Sequence, residues 1–198
     1  MQSVQKMSSF QQVRSFVSID LDDSQILSEV GRVIASFQAL GGDLKPVERD
    51  NIHITLKFLG NIEKARLDQI KTALESVKFD TFSLEVRGAG AFPNLRRINV
   101  IWVGLGEGWS KVQLIYEQTE SLLSGLGFPR ESRIFSPHVT IARVKSPRRQ
   151  DEIAQLVTSL QERDFGAFNV EKVRLKQSIL SPQGPRYSTL HEVSAQTR

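Results

Sequence analysis

The chain has 198 residues, of which 39% are hydrophobic and 24% are charged, and this balance excludes a disordered chain. It contains no cysteine, which excludes disulfide bonds and thiolate–metal sites and fits a reducing compartment. No apolar run approaches the roughly 18 residues that a membrane helix needs, and the polar N-terminus has no signal-peptide pattern. We therefore expect one cytoplasmic domain over residues 1–198 with no membrane partner.

The formal net charge is +4, and the basic residues are unevenly distributed. Residues 130–149 contain a single acid, Glu131, and six basic residues: Arg130, Arg133, Arg143, Lys145, Arg148 and Arg149. Such a cluster attracts phosphate groups, so nucleic acid is an obvious partner. A solvated loop is the simpler interpretation of the cluster when it is taken alone.

Turn residues and hydrophobic spacing predict the order of elements in the first half of the chain. The predicted elements are a strand at 14–21, a helix from Asp23 or Ser24 to Gly41 and Gly42, a strand at 51–59, a helix capped by Asn61, a strand at 82–86, the loop GAFPN and a strand at 98–102. The helices are indicated by apolar residues at intervals of three and four.

The same order recurs in the second half of the chain. The predicted elements are a helix from Trp109 to about Gly127, a strand at 137–144, a helix opened by Ser146 and Pro147, and strands at about 167–179 and 186–193. Apart from the first strand, each half therefore consists of α-β-α-β-β.

Two pairs of landmarks have the same separation. His138 follows His53 by 85 residues, and the predicted cap Ser146 follows Asn61 by 85 residues. This indicates an internal duplication, with repeats at about 23–104 and 108–193 and an extra strand at 14–21. A unit of this length is too long for a solenoid repeat. We therefore expect an α+β fold in which the repeats form two lobes about a pseudo-twofold axis, with a cleft between them.

Each repeat contains a histidine and a threonine two residues apart in a predicted strand. These are His53 and Thr55, and His138 and Thr140. Alternate side chains of a strand share a face and lie about 6.5 Å apart, so each pair faces one way and its apolar neighbours face the other. A single histidine on a strand is usually structural. Two equivalent pairs that hold two of the three histidines favour a function in the cleft.

The chemistry of these residues suits reactions at phosphorus. Histidine acts as an acid or a base near neutral pH, and in-line displacement needs a base and an acid on opposite sides of the phosphorus. The Thr55 and Thr140 hydroxyls can donate to the non-bridging oxygens. No metal or cofactor is expected, because the sequence lacks a recognisable metal motif. DLDD at 20–23 is interpreted as a strand end followed by a helix cap.

The motifs HITL at 53–56 and HVTI at 138–141 resemble the two HxTx motifs of the 2H phosphoesterase superfamily. The chain is similar to its RNA 2′,3′-cyclic phosphodiesterases, also called the 2′-5′ RNA ligase family. The resemblance includes RSFVSIDL, HITLKFLG, GAFPNLRRINVIWVGL, FSPHVTIARV and SPQGPRYSTLHEV. It implies antiparallel sheets flanking the cleft and metal-independent hydrolysis of a 2′,3′-cyclic phosphate to a 2′-phosphomonoester. The implied partner is an RNA end or a nucleotide that bears this group, and we expect a monomer.

The resemblance also implies a role for each matching residue. His53 matches the proton donor to the departing 3′ oxygen, and His138 matches the base that activates water. The pseudo-twofold arrangement alone does not distinguish these two roles. Thr55 and Thr140 match the phosphate-binding threonines, and Arg143 matches an arginine near the phosphate.

The orientation of two basic residues stays open. Simple alternation puts Arg143 on the face opposite the histidines, so either a bulge redirects it or it forms a structural ion pair. Phe58 occupies the equivalent position in the first repeat, so the lobes are not interchangeable. Lys57 shares the cleft face by alternation, and a strand-end lysine that reaches water is the simpler interpretation.

Three further side chains have open or structural interpretations. Phe92 either stacks on a base or anchors a turn, of which the second is the simpler interpretation. Tyr187 fits the closing pattern of the family but has no assigned role. His191 has no threonine two residues later and is interpreted as structural.

Two other functions are compatible with the sequence. With an RNA 5′-hydroxyl in place of water, the same site would run backwards and form a 2′-5′ linkage. A non-catalytic module that binds nucleotides or RNA ends would use the same basic cleft, although binding alone does not need two proton-transfer groups.

Overall fold

The computed structural model describes residues 12–182 and 184–196, which form helices and strands in alternating groups. The elements are β1 (Gln12–Asp20), α1 (Ser24–Ala39), β2 (Leu44–Pro46), β3 (His53–Glu63), α2 (Leu67–Leu74), β4 (Phe82–Asn94), β5 (Arg97–Leu105), α3 (Trp109–Gly125), β6 (Val139–Val144), α4 (Gln150–Ser159), β7 (Asp164–Val170), β8 (Lys172–Ser181) and β9 (Gly184–Ser194). Short 3₁₀ turns precede β3 and α2. None of the described helices is long and apolar enough to span a membrane.

The strands form one antiparallel sheet in the order β7-β4-β5-β6-β3-β1-β8-β9, and β2 pairs with β6. This confirms the α+β class with antiparallel strands. The sheet order does not divide the predicted repeats 23–104 and 108–193 into two lobes. β4, from the first repeat, lies beside β7, from the second, whereas β8 and β9 of the second repeat follow β1 at the other end of the sheet. Each half of the sheet therefore contains strands from both repeats, and the duplication itself stays a prediction.

The first helix of each predicted repeat lies where its apolar pattern places it. α1 follows Asp23, whose carboxylate accepts hydrogen bonds at 2.9 Å from the backbone N–H groups of Gln25 and Ile26. α3 begins at Trp109, as predicted. The interpretation of DLDD as a strand end and a helix cap is confirmed, because β1 ends at Asp20.

The predicted starts of the other two helices are wrong. Asn61 lies inside β3, because this strand continues to pair with β1 as far as Glu63. The strand hydrogen bonds take precedence over the capping preference of asparagine, and α2 begins only at Leu67. Ser146 precedes α4 by several residues, and the helix follows Arg149, which has a positive φ of 63°.

Several strand boundaries also differ from the predicted ones. The predicted strand at 167–179 is two strands, β7 and β8, which lie in opposite halves of the sheet and are joined at Glu171. The GAFPN segment is the end of β4 and not a loop, because it pairs with β5. The short strand β2 was not predicted.

The apolar faces of helices and strands form one core. α1 contributes Ile26, Val30 and Phe37, and the central strands contribute Ile54 and Val139, each at most 2% exposed. Burying an aliphatic or aromatic side chain of this size contributes about 1.5–3 kcal/mol. This burial decides which face of β3 and β6 points to the core and leaves their other face to polar side chains.

A β-bulge follows the His–Thr pair in each central strand. The extra residue is Leu56 in β3, and its neighbours pair with adjacent residues of β1. It is Ile141 in β6, whose neighbours pair with adjacent residues of β5. A bulge adds one residue and so shifts the alternation of side chains. Lys57 therefore turns toward the core, whereas Phe58 and Arg143 return to the face of the histidines.

The prediction that Lys57 reaches water on the cleft face is wrong. Lys57 is 6% exposed, and its ammonium pairs with Glu120 of α3 and donates to the Pro129 carbonyl at 2.8 Å. The other carboxylate oxygen of Glu120 accepts a hydrogen bond from the Glu131 N–H at 3.0 Å. This buried ion pair ties β3 to the segment that leads to His138.

Replacing Lys57 by methionine is expected to lower the free energy of unfolding by about 3–5 kcal/mol, because the Glu120 carboxylate would stay buried without its partner. The double variant Lys57→Met/Glu120→Leu should recover most of this loss. Urea unfolding followed by tryptophan fluorescence measures both.

The matched control is Lys71→Met, which breaks the surface pair with Asp68, whose side chain is 91% exposed. Its effect should stay within about 0.5 kcal/mol. If Lys57→Met and Lys71→Met lower the free energy of unfolding equally, the buried ion pair contributes no more to stability than a surface pair.

Candidate active site

The two His–Thr pairs meet where β3 and β6 join at the centre of the sheet. Because Ile54 lies opposite Val139, the antiparallel register places each histidine beside the threonine of the other strand. The side chains alternate as predicted, since Ile54 and Val139 are fully buried and the His and Thr side chains are partly exposed. His138 directly precedes β6 and does not lie in it. The structure thus brings the four predicted side chains together.

The two imidazoles are held in the same way. His53 Nδ1 lies 2.7 Å from the carbonyl oxygen of Asn51, and His138 Nδ1 lies 2.7 Å from that of Ser136. A carbonyl oxygen only accepts, so each Nδ1 carries a proton and Nε2 of the neutral ring is an acceptor. His53 Nε2 accepts a hydrogen bond from the Thr55 hydroxyl at 3.0 Å.

Two aromatic rings flank His53. The centre of its ring lies 4.9 Å from that of Phe16 and 5.4 Å from that of Tyr187, which meets it edge to face. Asn51 donates a hydrogen bond at 2.9 Å to the carbonyl of Pro185, which fixes the start of β9 against this side of the site. Tyr187, which had no role assigned from the sequence, is therefore a neighbour of His53.

Two other aromatic rings flank His138. Phe92 meets its ring edge to face at 4.8 Å, and the Trp102 ring centre is 6.1 Å away. The sequence left Phe92 between base stacking and turn anchoring, and the structure places it in contact with His138. Trp102 was predicted only as a strand residue, and its place beside His138 follows from the pairing of β5 with β6.

Burial lowers the pKa of both histidines, because a desolvated imidazolium is disfavoured. At His53 this effect is reinforced by the charges of Lys176 and His138, and it is opposed by the bond to Asn51 and by the Asp20 carboxylate. The register of β3 and β6 places the two imidazoles on the same face of the sheet. At neutral pH both rings of the free site are therefore neutral.

Sequence reasoning missed two charged residues beside His53. Asp20 lies opposite His53 in β1, and Lys176 of β8 donates to its carboxylate at 2.6 Å. Arg174 contacts the same carboxylate at 3.0 Å. Lys176 is 5% exposed, with its ammonium 5.8 Å from the centre of the Tyr187 ring. No local sequence signal identifies this group, because it depends on pairing between the distant strands β1 and β8.

Arg143 lies on the face of the histidines. Burial raises the pKa of Tyr187, and the nearby positive charges of Arg143 and Arg14 oppose this effect. The bulge at Ile141 accounts for the orientation of Arg143, because it shifts the alternation of side chains in β6 after Thr140. Of the two explanations that the sequence left open, the structure supports the bulge.

Two of the basic residues between 130 and 149 form ion pairs with nearby acidic residues. Arg133 pairs with Glu131 at 3.3 Å, and Arg149 pairs with Glu152 at 2.8 Å. These side chains are between 42% and 85% exposed, so their ion pairs are solvated. The solvated interpretation of the basic cluster therefore fits Arg133 and Arg149, whereas Arg143 belongs to a central strand.

A family match covers both halves of this site. The family described as LigT-like phosphoesterases matches residues 19–102 and 107–187, and each matched segment contains one His–Thr pair. The chain belongs to the LigT-like phosphoesterase family. This confirms the resemblance that the His-x-Thr motifs indicated.

Relatives and solved structures agree with this membership. The RNA 2′,3′-cyclic phosphodiesterase of Aeropyrum pernix is 39% identical over 170 residues, which cover 86% of this chain and 97% of that protein. That of Archaeoglobus fulgidus is 39% identical over 181 residues, covering 90% and 98%. The crystal structure of TT0787 from Thermus thermophilus is 26% identical with a TM-score of 0.73, covering 91% and 97%. Apo LigT of Escherichia coli, 22% identical, has the same fold, with a TM-score of 0.75 and coverage of 94% and 99%.

The geometry predicts the protonation behaviour of both histidines. In the free protein, NMR titration should give His53 and His138 pKa values below the ordinary value of about 6.5. The ¹⁵N shifts of the neutral rings should show the Nδ1–H tautomer, because each Nδ1 faces a carbonyl oxygen. An Nε2–H tautomer at either residue would contradict the arrangement.

Proposed function

We propose that the protein hydrolyses the 2′,3′-cyclic phosphate of an RNA end or a nucleotide to a 2′-phosphomonoester, without a metal. The observation that carries this proposal is the pair of imidazoles, each fixed by a backbone carbonyl and each beside a threonine of the other central strand. The relatives named above are RNA 2′,3′-cyclic phosphodiesterases, and E. coli LigT has been crystallised with 3′-AMP. Both facts support a nucleotide substrate.

In the proposed reaction, Nε2 of neutral His138 takes a proton from water while the water oxygen bonds to phosphorus. The bond from phosphorus to the 3′ oxygen breaks on the opposite side, and protonated His53 gives its Nε2 proton to that oxygen. The phosphoryl group stays on the 2′ oxygen. The assignment of base and acid follows the family, and exchange of protons with solvent restores both rings.

Three further side chains would stabilise the reacting phosphate. When His53 is protonated, its Nε2 no longer accepts from Thr55, and the Thr55 and Thr140 hydroxyls would donate to the non-bridging oxygens, on which negative charge increases as the water attacks. The Arg143 guanidinium on the same face attracts the phosphodiester anion. The register of β3 and β6 and the bulge in β6 support these roles, because they put the three side chains on the face of the histidines.

The rim of the site suits a nucleoside. Phe58 is 71% exposed on the cleft face, with its ring 6.2 Å from that of Phe16, so it offers an aromatic surface to a base. RNA ends are therefore the proposed partner. A cytoplasmic location and a monomeric state belong to the same proposal, and the absence of cysteine is compatible with that location.

Loss of either imidazole should remove acid–base catalysis. His53→Ala and His138→Ala are each expected to lower kcat about 100-fold or more on an oligoribonucleotide that ends in a 2′,3′-cyclic phosphate. The wild-type reaction should continue in EDTA. Product analysis by ³¹P NMR should place the phosphate on the 2′ oxygen.

His191→Ala is the matched control. This third histidine lies in β9, with Nε2 3.7 Å from a carboxylate oxygen of Glu75, and it should keep near-full activity when replaced. Circular dichroism verifies that all three variants are folded. Near-full activity of folded His53→Ala or His138→Ala would contradict the mechanism.

The pH profile tests the same assignment. The reaction needs one neutral and one protonated imidazole, so kcat/KM should be bell-shaped. Burial lowers both pKa values in the free enzyme, so the maximum should lie below about pH 6.5. A bound phosphate anion favours imidazolium and raises both values, so the kcat profile should lie at higher pH than that of kcat/KM. A profile with one ionisation would contradict two-histidine catalysis.

A further inference from the structure

A pocket of about 660 Å³ is lined in part by Trp102, whose ring neighbours that of His138. Its walls come from the β4–β5 hairpin and the end of α4, and include Gly90, Asn94, Leu95, Arg96, Trp102 and Gln161. Among the described strands, β7 pairs with β4 from Phe82 to Arg87, so the following part of β4 has a free edge, and the pocket forms there. A volume of this size is typical of small-molecule sites.

Trp102 belongs to both the pocket and the active site. Its ring lines the pocket, and the ring centre is 6.1 Å from that of His138. The indole packs directly on Gly90, where an added Cβ would lie 2.2 Å from a ring carbon. Within the described part of the chain, the buried Nε1–H of Trp102 has no acceptor. A buried donor without a partner costs about 1–3 kcal/mol, so folding alone does not account for an indole here.

The polar groups of the pocket suit a nucleotide. The Asn94 side-chain oxygen accepts hydrogen bonds from the backbone N–H groups of Arg96 and Arg97 at 3.0 and 3.1 Å, which leaves its amide N–H₂ to donate. Gln161 supplies a second amide, and the lining contains no carboxylate among the described residues. An indole face stacks on a base, amides bind base edges, and a guanidinium binds phosphate.

We propose that this pocket is a second nucleotide-binding site, which holds a nucleotide next to the one that reacts. The inference rests on the proposed function, since an RNA substrate is what brings a further nucleotide to this side of His138. Two sources supply the same chemistry. The nucleotide belongs either to the strand that carries the cyclic phosphate or to the end of a separate RNA.

The test uses Arg96→Ala, with Arg97→Ala as the matched control, because Arg97 is adjacent and exposed but lies outside the pocket lining. One arm compares kcat/KM for a nucleoside 2′,3′-cyclic phosphate and for a trinucleotide with the same cyclic end. The other arm adds a trinucleotide with a 5′-hydroxyl and no cyclic phosphate to the mononucleotide reaction, and measures inhibition or joining. A salt series accompanies both arms.

For a site on the same strand, Arg96→Ala should lower kcat/KM about tenfold for the trinucleotide and leave the mononucleotide unchanged. A plot of log kcat/KM for the trinucleotide against the logarithm of the salt concentration should become less steep by about one unit of slope. If the pocket instead binds the end of a separate RNA, Arg96→Ala should weaken inhibition or joining by the added 5′-hydroxyl trinucleotide about tenfold. If Arg96→Ala matches Arg97→Ala in both arms, the second site is overturned. If the wild-type protein hydrolyses neither the mononucleotide nor the trinucleotide with the cyclic end, the proposed function is overturned instead.

Discussion

The contact between β3 and β6 is the constraint on which the rest of the structure depends. The two strands pair at one position, Ile54 opposite Val139, and both of these side chains are fully buried. A strand that buries one face leaves its alternate residues on the other, so anchoring these two residues in the core directs both His–Thr pairs into the cleft. The pairing of β3 with β6 also connects the two halves of the sheet. The burial of Ile54 and Val139 therefore both connects the sheet and brings the residues of the site together.

The two bulges extend this constraint along each strand. Without them, alternation would place Lys57 in the cleft and Arg143 against the core, where an unpaired guanidinium is strongly disfavoured. The extra residue after each threonine reverses both orientations. Lys57 then reaches Glu120, and this ion pair holds the segment before His138 through the Pro129 carbonyl and the Glu131 N–H. The position of the second histidine thus depends partly on a residue that follows the first.

The sequence predicts what local periodicity and motif spacing determine, and little more. The helices α1 and α3 and the shared face of His53 and Thr55 follow from local patterns and are confirmed. The cap at Asn61 and the orientation of Lys57 were wrong because strand pairing and a bulge, which involve distant partners, overrode local preference. The same limit explains why Lys176 was missed. Its place beside His53 depends on the pairing of β8 with β1, which no local pattern records.

A nearly symmetric site must still distinguish its acid from its base, and the structure contains the means. Asp20 lies opposite His53, and its carboxylate favours the protonated imidazole, whereas the pKa of His138 is set by burial and by the Ser136 carbonyl. A carboxylate beside one ring biases the proton toward that ring once a phosphate anion has raised both pKa values. Lys176 is paired with that carboxylate and moderates the bias, so His53 can still release its proton. In the proposed mechanism, the Asp20 carboxylate favours His53 as the acid, whereas burial and the Lys176 charge oppose the protonation of His53.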